Sequence, residues 1–372
     1  MKAASAVAPL PVVPRPQTGE RLASWVNRLA RLYAMPVEGF LECCGLGCCS
    51  VTDLEWRLGA GEGVWLASRT GMTVEALRTL TFAEIAPAAR LMIASRSRYV
   101  CPHCPSGIHL KSAALPWNFW CADHNERFGP RAGGRSPEGL LPRQRLTVLD
   151  GYAHDGAVRL AAWARGTDEI EPDARALLAF LTTRHRRSSP PSLSEQPRLS
   201  LEARRANHDF LMRPITRQAL LVIVPQYDRV APVLAKPVRP GLLALARGSL
   251  LQNYALTIGV GRLAADPVGH AAAVLLASDR QGEERLREML RAWPLALRRR
   301  IYARLRRLRD KNEVSQVSSR GFLIHTGGHR ARLRALDDPE CQNGPNARLR
   351  PSIAEIAGPA TSGAEPARKS RK

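Results

Sequence analysis

The sequence predicts a mainly α-helical protein with one small module of short β strands in its first third. Three observations carry that expectation. Two short clusters of metal-ligand residues, Cys101-Pro102-His103-Cys104 and Cys121-Ala122-Asp123-His124, stand sixteen residues apart. Apolar residues recur at helical spacing on both sides of them, as Leu22, Trp25, Val26 and Leu29 and again as Leu297, Ile301, Leu305 and Leu308. The chain is strongly basic, with 55 Lys plus Arg against 33 Asp plus Glu and a formal charge of +22. That balance implies an anionic partner, most often nucleic acid.

The two clusters are spaced like paired zinc knuckles. Zinc takes four tetrahedral ligands and prefers thiolate and imidazole. Two ligands separated by two residues let one tight turn present both to one ion. Between the knuckles, Trp117 and Phe119 alternate with Asn118 and Trp120, the period of a short strand. The expected module is a zinc ribbon or zinc finger with one structural zinc held by Cys101, Cys104, Cys121 and His124. Four protein ligands leave no open position for water or substrate, which argues against catalytic metal. His103 and His109 are the alternatives for the fourth ligand.

At 372 residues the chain is long enough for two or three domains. Pro9, Pro11, Pro14 and Pro16 interrupt the N-terminal apolar stretch, which makes it a poor signal peptide. No apolar run is long enough for a membrane span, so no membrane partner is expected. The expected location is cytoplasmic, where thiols stay reduced and available to metal.

Residues 1–17 read as an extended Pro-rich arm. Residues 18–92 read as a helix-turn-helix-like region. Its first helix is expected near Thr18 as N-cap, with Glu20 and Arg21 in the first turn. Leu22, Trp25, Val26, Leu29 and Leu32 form the packed face. Pro36 opens a second helix, with Val37, Phe40 and Leu41 inward and Gly45 and Gly47 at its end. Cys43, Cys44, Cys48 and Cys49 crowd that end. Neighbouring cysteines on a helix point about 100° apart, so they read as small, partly buried apolar residues rather than a second metal site. A further helix pair flanks Thr70-Gly71-Met72, with Thr73 as cap and Val74, Leu77 and Leu80 inward. Ala67 before Gly71 suits the turn of a helix-turn-helix, whose second helix enters the major groove. Arg69 and Arg78 are then DNA-binding residues; a plain helical hairpin is the alternative.

The metal module spans 93–135, introduced by the basic stretch Arg90 to Arg98. Residues 136–183 read as helical, from Leu146, Leu149 and Tyr152 through Val158, Leu160 and Trp163 to Ala174–Leu181. Residues 184–200, rich in Arg, Ser and Pro, read as a linker. Residues 201–336 read as a C-terminal basic helical domain. Its apolar runs are Ala219–Val224 and Leu242–Leu251, interrupted by Pro225 and by Pro232 to Pro240. Trp293-Pro294 divides its strongest element, with Pro294 in the first turn of a new helix. There Arg300, Arg304 and Arg307 share another face, beside Arg298 and Arg299, while Leu297, Ile301, Leu305 and Leu308 form the inner one. They read as DNA-binding residues that track phosphate, with a solvated polar face as the alternative. Residues 337–372 read as a disordered basic tail.

No P-loop is present, since Gly129 to Arg135 lacks the terminal Gly-Lys-Ser/Thr. No His-Glu-x-x-His pair and no nucleophile motif stands out, so no catalytic residue is assigned.

The order of parts resembles the TniQ family, which includes the TnsD-like proteins of transposons. The matching residues are Pro14-Arg-Pro-Gln-Thr-Gly-Glu-Arg-Leu-Ala-Ser-Trp-Val-Asn-Arg-Leu-Ala30, Tyr99-Val-Cys-Pro-His-Cys104, Leu115-Pro-Trp117 and Cys121-Ala-Asp-His124. Leu286 to Leu308, centred on Trp293-Pro294, is similar to an element of the family's C-terminal half. The resemblance covers roughly residues 10–125. It implies a non-enzymatic target-selection adaptor that binds DNA, or a complex already on DNA, and recruits the transposition ATPase. The implied partners are DNA and the ATPase and transposase of the same element, with a guide-RNA complex and a homodimer as further candidates. Family members often carry a further Cys-x-x-Cys after the His; here Asn125 to Arg145 contains no Cys, so one zinc is expected. The alternative function is a zinc-containing helix-turn-helix transcription regulator. A zinc-dependent hydrolase or nuclease fits less well, given the filled tetrahedron.

Overall fold

The structure is a computed structural model and describes residues 8–95, 97, 99–130, 143–188, 215–226 and 239–322. The linker beyond Ser188, the tail 337–372 and the ends of the arm and of the metal module lie outside them.

Five helices open the fold: α1 (Leu22–Leu32), α2 (Val37–Cys43), α3 (Val51–Trp56), α4 (Ala60–Thr70) and α5 (Val74–Thr79). α1 buries Leu22, Trp25, Val26 and Leu29, as its periodicity requires, while Leu32 is exposed. Around them Phe40, Leu41, Leu54, Leu66 and Leu77 complete a small core. Gly71 ends α4 at φ 68°, a left-handed conformation that glycine adopts without a Cβ penalty. The Thr73 hydroxyl caps α5 by accepting from the Ala76 N–H at 3.1 Å.

The start of α1 departs from expectation. The helix begins at Leu22, with Arg21 rather than Thr18 at the N-cap position. Glu20 and Arg21 are buried ahead of it instead of lying in a solvated first turn. Glu20 pairs with Leu110 in an antiparallel bridge. Its carboxylate accepts from Arg28 at 2.8 Å and from Ser24 at 2.8 Å.

Residues 8–17 form no helix or strand and are strapped down. Trp25 Nε1 donates to Pro14 O at 2.8 Å, Tyr33 Oη to Val12 O at 2.7 Å, and Leu10 N to Arg69 O at 2.8 Å.

A 3-10 turn (Pro87–Met92) leads to β1 (Tyr99–Val100), which pairs antiparallel with β2 (Gly129–Pro130). The one-turn helix α6 (Lys111–Ala114) lies between them in sequence. Next come α7 (Arg143–Arg165), α8 (Ala174–Leu181) and β3 (Arg184–Ser188), paired antiparallel with β4 (Ile215–Gln218). α9 (Leu220–Ile223), α10 (Leu242–Arg247), α11 (Leu250–Ala265), α12 (Pro267–Leu276), α13 (Arg280–Leu290) and α14 (Leu295–Phe322) follow. The break between α13 and α14 falls at Trp293-Pro294, and Ile301 and Leu305 of α14 point inward.

Two boundaries read from composition are corrected. The expected linker begins inside β3, where His185 is buried. Residues 136–183 and 201–336 are not separate domains where the structure describes them. One hydrophobic core runs from Phe82 through the metal module and α7 to Leu305 of α14, and residues up to Asn312 form one compact unit. The physical reason is that α11 is apolar nearly all round and needs neighbours on several sides. α7 supplies the closest: a Cβ on Gly156 would lie 1.9 Å from Thr257 O, and one on Gly261 2.1 Å from Tyr152 O.

Candidate metal centre

β1 carries the chain into the first knuckle. Tyr99 is buried and Val100 exposed, so Cys101 again turns inward. The second knuckle tips a hairpin. Phe128 N donates to Phe119 O and Cys121 N to Glu126 O, both at 2.8 Å. Asn125 turns the tip at φ 48°, a left-handed conformation that Asn tolerates better than most residues. Trp117 and Phe119 are buried while Asn118 and Trp120 are half-buried, the alternation expected of this stretch.

The hairpin is bolted to the helical core. Arg127 pairs with Asp150 of α7 at 2.6 Å and lies 5.0 Å from the ring centres of Trp120 and of Tyr254 on α11. The Tyr254 hydroxyl also donates to Asp150. Asn253 of α11 donates to the Tyr99 hydroxyl at 2.8 Å. Sequence reading missed these supports. Asp150, Asn253 and Tyr254 lie far along the chain from the knuckles, and nothing in their neighbourhoods marks them.

The ligand atoms of Cys101, Cys104, Cys121 and His124 all lie within 4.8 Å of one another. His124 Nδ1 is 3.6 Å from Cys101 Sγ and 3.5 Å from both Cys104 Sγ and Cys121 Sγ. Cys104 Sγ and Cys121 Sγ are 3.7 Å apart. A tetrahedron with Zn–S of about 2.3 Å and Zn–N of about 2.0–2.1 Å has edges of roughly 3.8 Å between sulfurs and 3.6 Å from sulfur to nitrogen. The cluster thus has the dimensions of a shell around one such ion, so these residues could hold a metal.

The electrostatics fit as well. Burial works to raise the Cys101 thiol, but the His103 and Cys104 backbone N–H groups together with the Cys104 and Cys121 thiols hold it below its ordinary value. Cys104 is pushed up to about 12, first by burial and then by its hydrogen bonds with Cys121 and Cys101. Crowded thiolates repel one another, and a cation among them removes that penalty.

His103 stands beside the cluster, its ring centre 5.8 Å from that of His124 and its Nε2 3.8 Å from Glu126. His109 serves through its backbone: its N–H donates to Ser24 Oγ and its carbonyl accepts from Arg21 N, both at 2.9 Å. Neither joins the four. In the other cysteine cluster, Cys44 is buried in the N-terminal core while Cys43 and Cys48 are exposed.

The arginines read as DNA-binding residues do not gather in one place. Arg69 donates to the carbonyls of Ala8 and Cys43, so it holds the arm and the end of α2. Arg78 on α5 is exposed. Arg300 and Arg307 on α14 are exposed and Arg304 is half-buried. No helix among the described residues is long and apolar enough to cross a membrane.

Residues 11–128 match the family model described as TniQ, a stretch that takes in the arm, the five N-terminal helices and the whole metal cluster. No curated protein and no solved structure matches the chain.

Proposed function

We propose that this chain, whose residues 11–128 match the TniQ family model, is a non-enzymatic transposition accessory factor for target-site selection. It binds DNA, or a complex already on DNA, and recruits the transposition ATPase of its element. The match over residues 11–128 carries this reading, because it joins the helical region and the metal hairpin in one unit.

The metal is one structural zinc on Cys101, Cys104, Cys121 and His124. Bound there, it would supply a fixed cross-link between β1 and the hairpin, with no ligand position left for chemistry. The chain's own residues then do the positioning. The hairpin anchors, through Arg127 and Asp150, hold the module against α7. The arm is held on α1 and α4.

DNA binding falls to Arg78 and to Arg300, Arg304 and Arg307. The last three recur at helical spacing and lie off the buried Ile301 and Leu305 face. Arg69 contributes less, since two of its donors are taken by backbone carbonyls.

The test is retention of the element's ATPase on the immobilised full chain, with and without duplex DNA. Retention that DNA strengthens supports the reading. No retention in either condition, with zinc content intact, removes it. In the same assay Arg300, Arg304 and Arg307 changed together to Ala should weaken DNA binding alike for all sequences. The salt slope should also flatten, by about 0.9 for each phosphate that the variant no longer neutralises. An unchanged slope would make that face merely solvated.

A further inference from the structure

A cleft of about 630 Å³ opens between α8, the start of α10 and α13, and none of its described lining residues belongs to the metal hairpin or to the TniQ-matched stretch. That volume lies in the range of about 300–1,000 Å³ common for ligand pockets. Its floor is apolar, made by Ala179, Leu242, Leu243 and Met289, and Leu243 is 42% exposed. Its rim is cationic, made by Arg175, Arg184 and Arg285.

The charges at the rim are poised for an outside partner. Arg175 and Arg184 have no carboxylate in ion-pair reach among the described residues. Arg285 Nε donates to Arg184 O at 3.1 Å, which ties α13 to the start of β3 at the rim. Among the described lining residues the one acid is Glu288, which Arg291 engages at 2.8 Å.

The threonine hydroxyls of the cleft are already engaged. The Thr182 hydroxyl donates to Leu178 O and accepts from Gly241 N, each at 2.8 Å. The Thr183 hydroxyl donates to Ala179 O at 2.8 Å. The apolar floor and cationic rim suit an occupant that is apolar at its centre and anionic at its edges. A nucleic-acid backbone has the reverse distribution, with its charge outermost and continuous.

We propose that this cleft docks an acidic peptide segment of a protein partner, with one or two aliphatic side chains on Leu242, Leu243 and Met289 and carboxylates on the three arginines. Bidentate Arg–carboxylate pairing supplies orientation, and the opposed charges speed encounter. The site lies outside the TniQ-matched residues, and the proposal stands whether or not the chain recruits an ATPase.

The test is fluorescence anisotropy on the full-length, zinc-loaded chain. The probe is a labelled peptide with a central Leu-Leu pair flanked by Glu and Asp. The parent protein should bind it. Arg175→Glu with Arg285→Glu should weaken binding at least tenfold and should gain binding to the same peptide with Lys flanks. Leu243→Asp should also weaken the acidic peptide at least tenfold. Unchanged circular dichroism and zinc content show that the variants fold. The proposal is overturned if the parent ignores the peptide, or if the charge-reversed protein binds both peptides as the parent does. It is equally overturned if the charge reversal weakens duplex DNA but not the acidic peptide, which would make the cleft a nucleic-acid surface.

Discussion

Arg21 and Glu55, thirty-four residues apart, form a buried ion pair that ties the helical region to the approach of the metal module. Arg21 Nε reaches Glu55 Oε1 at 2.7 Å, and the second arm of the guanidinium meets the other carboxylate oxygen. Its Nη1 donates to Ala94 O and Ser95 O at 3.0 and 3.1 Å, just ahead of β1. Phe82 lies under it at 5.5 Å. Glu55→Ala strands a buried guanidinium and should cost about 3–5 kcal/mol. Arg21→Met with Glu55→Leu removes both charges and should cost less than either single change. Urea titration of the three proteins gives the comparison. A double variant that is worse than both singles would show that the pair contributes more than its own compensation.

The crossing of α7 and α11 makes a second prediction with its own control. Gly156 sits where a Cβ would meet Thr257 O at 1.9 Å, whereas Gly151 on the same helix has nothing within 4 Å. Gly156→Ala must push two helices apart, and overpacking of this kind costs about 1–3 kcal/mol. Gly151→Ala should instead stabilise by about 0.5–1 kcal/mol, because glycine pays extra entropy in a helix. Thermal melts that order the two the other way would contradict the close approach.

Acid should weaken the fold through His185. Burial pushes this imidazole down to about 4 from an ordinary 6.5, with Arg186 and Arg217 adding to the effect and the nearby Ala277 backbone and Asp279 opposing it. As pH falls, the unfolded chain therefore takes up the proton first. The stability tied to neutral His185 is complete above about 6.5 and is lost as pH falls towards about 4. The slope is at most about 1.4 kcal/mol per pH unit for one proton. His185→Leu should lose less stability than the parent across that window in urea titrations. Parallel curves for the two proteins would remove the residue from the acid response.

The four residues of the candidate metal centre were legible because their information is local. Each knuckle is a ligand pair across two residues, and the turn that presents the pair is made by those same residues. The inner faces of α1 and α14 were legible for the same reason, since a 3.6-residue period is written in consecutive positions. Glu20, Arg21 and Glu55 were not, because charge next to a helix start reads as a first turn unless its distant partner is known. β3 was hidden in the same way. Arg184-His185-Arg186-Arg187 looks solvated until β4 pairs with it and α13 covers His185, with Gly282 so close that a Cβ there would lie 1.8 Å from His185 O. Glycines inside otherwise helical stretches, Gly156 and Gly261, were the available signal that two helices meet without side chains between them.

Metal content of the folded chain tests the centre of this account most directly. Protein purified without added metal and analysed by mass spectrometry of its elements should carry about one zinc per chain, since the described residues hold one four-ligand set. Cys101→Ser should lose the zinc and lower the stability of the region from β1 to β2, because metal binding is coupled to folding. Folded parent protein with no bound metal would contradict the assignment of Cys101, Cys104, Cys121 and His124 as a closed zinc site.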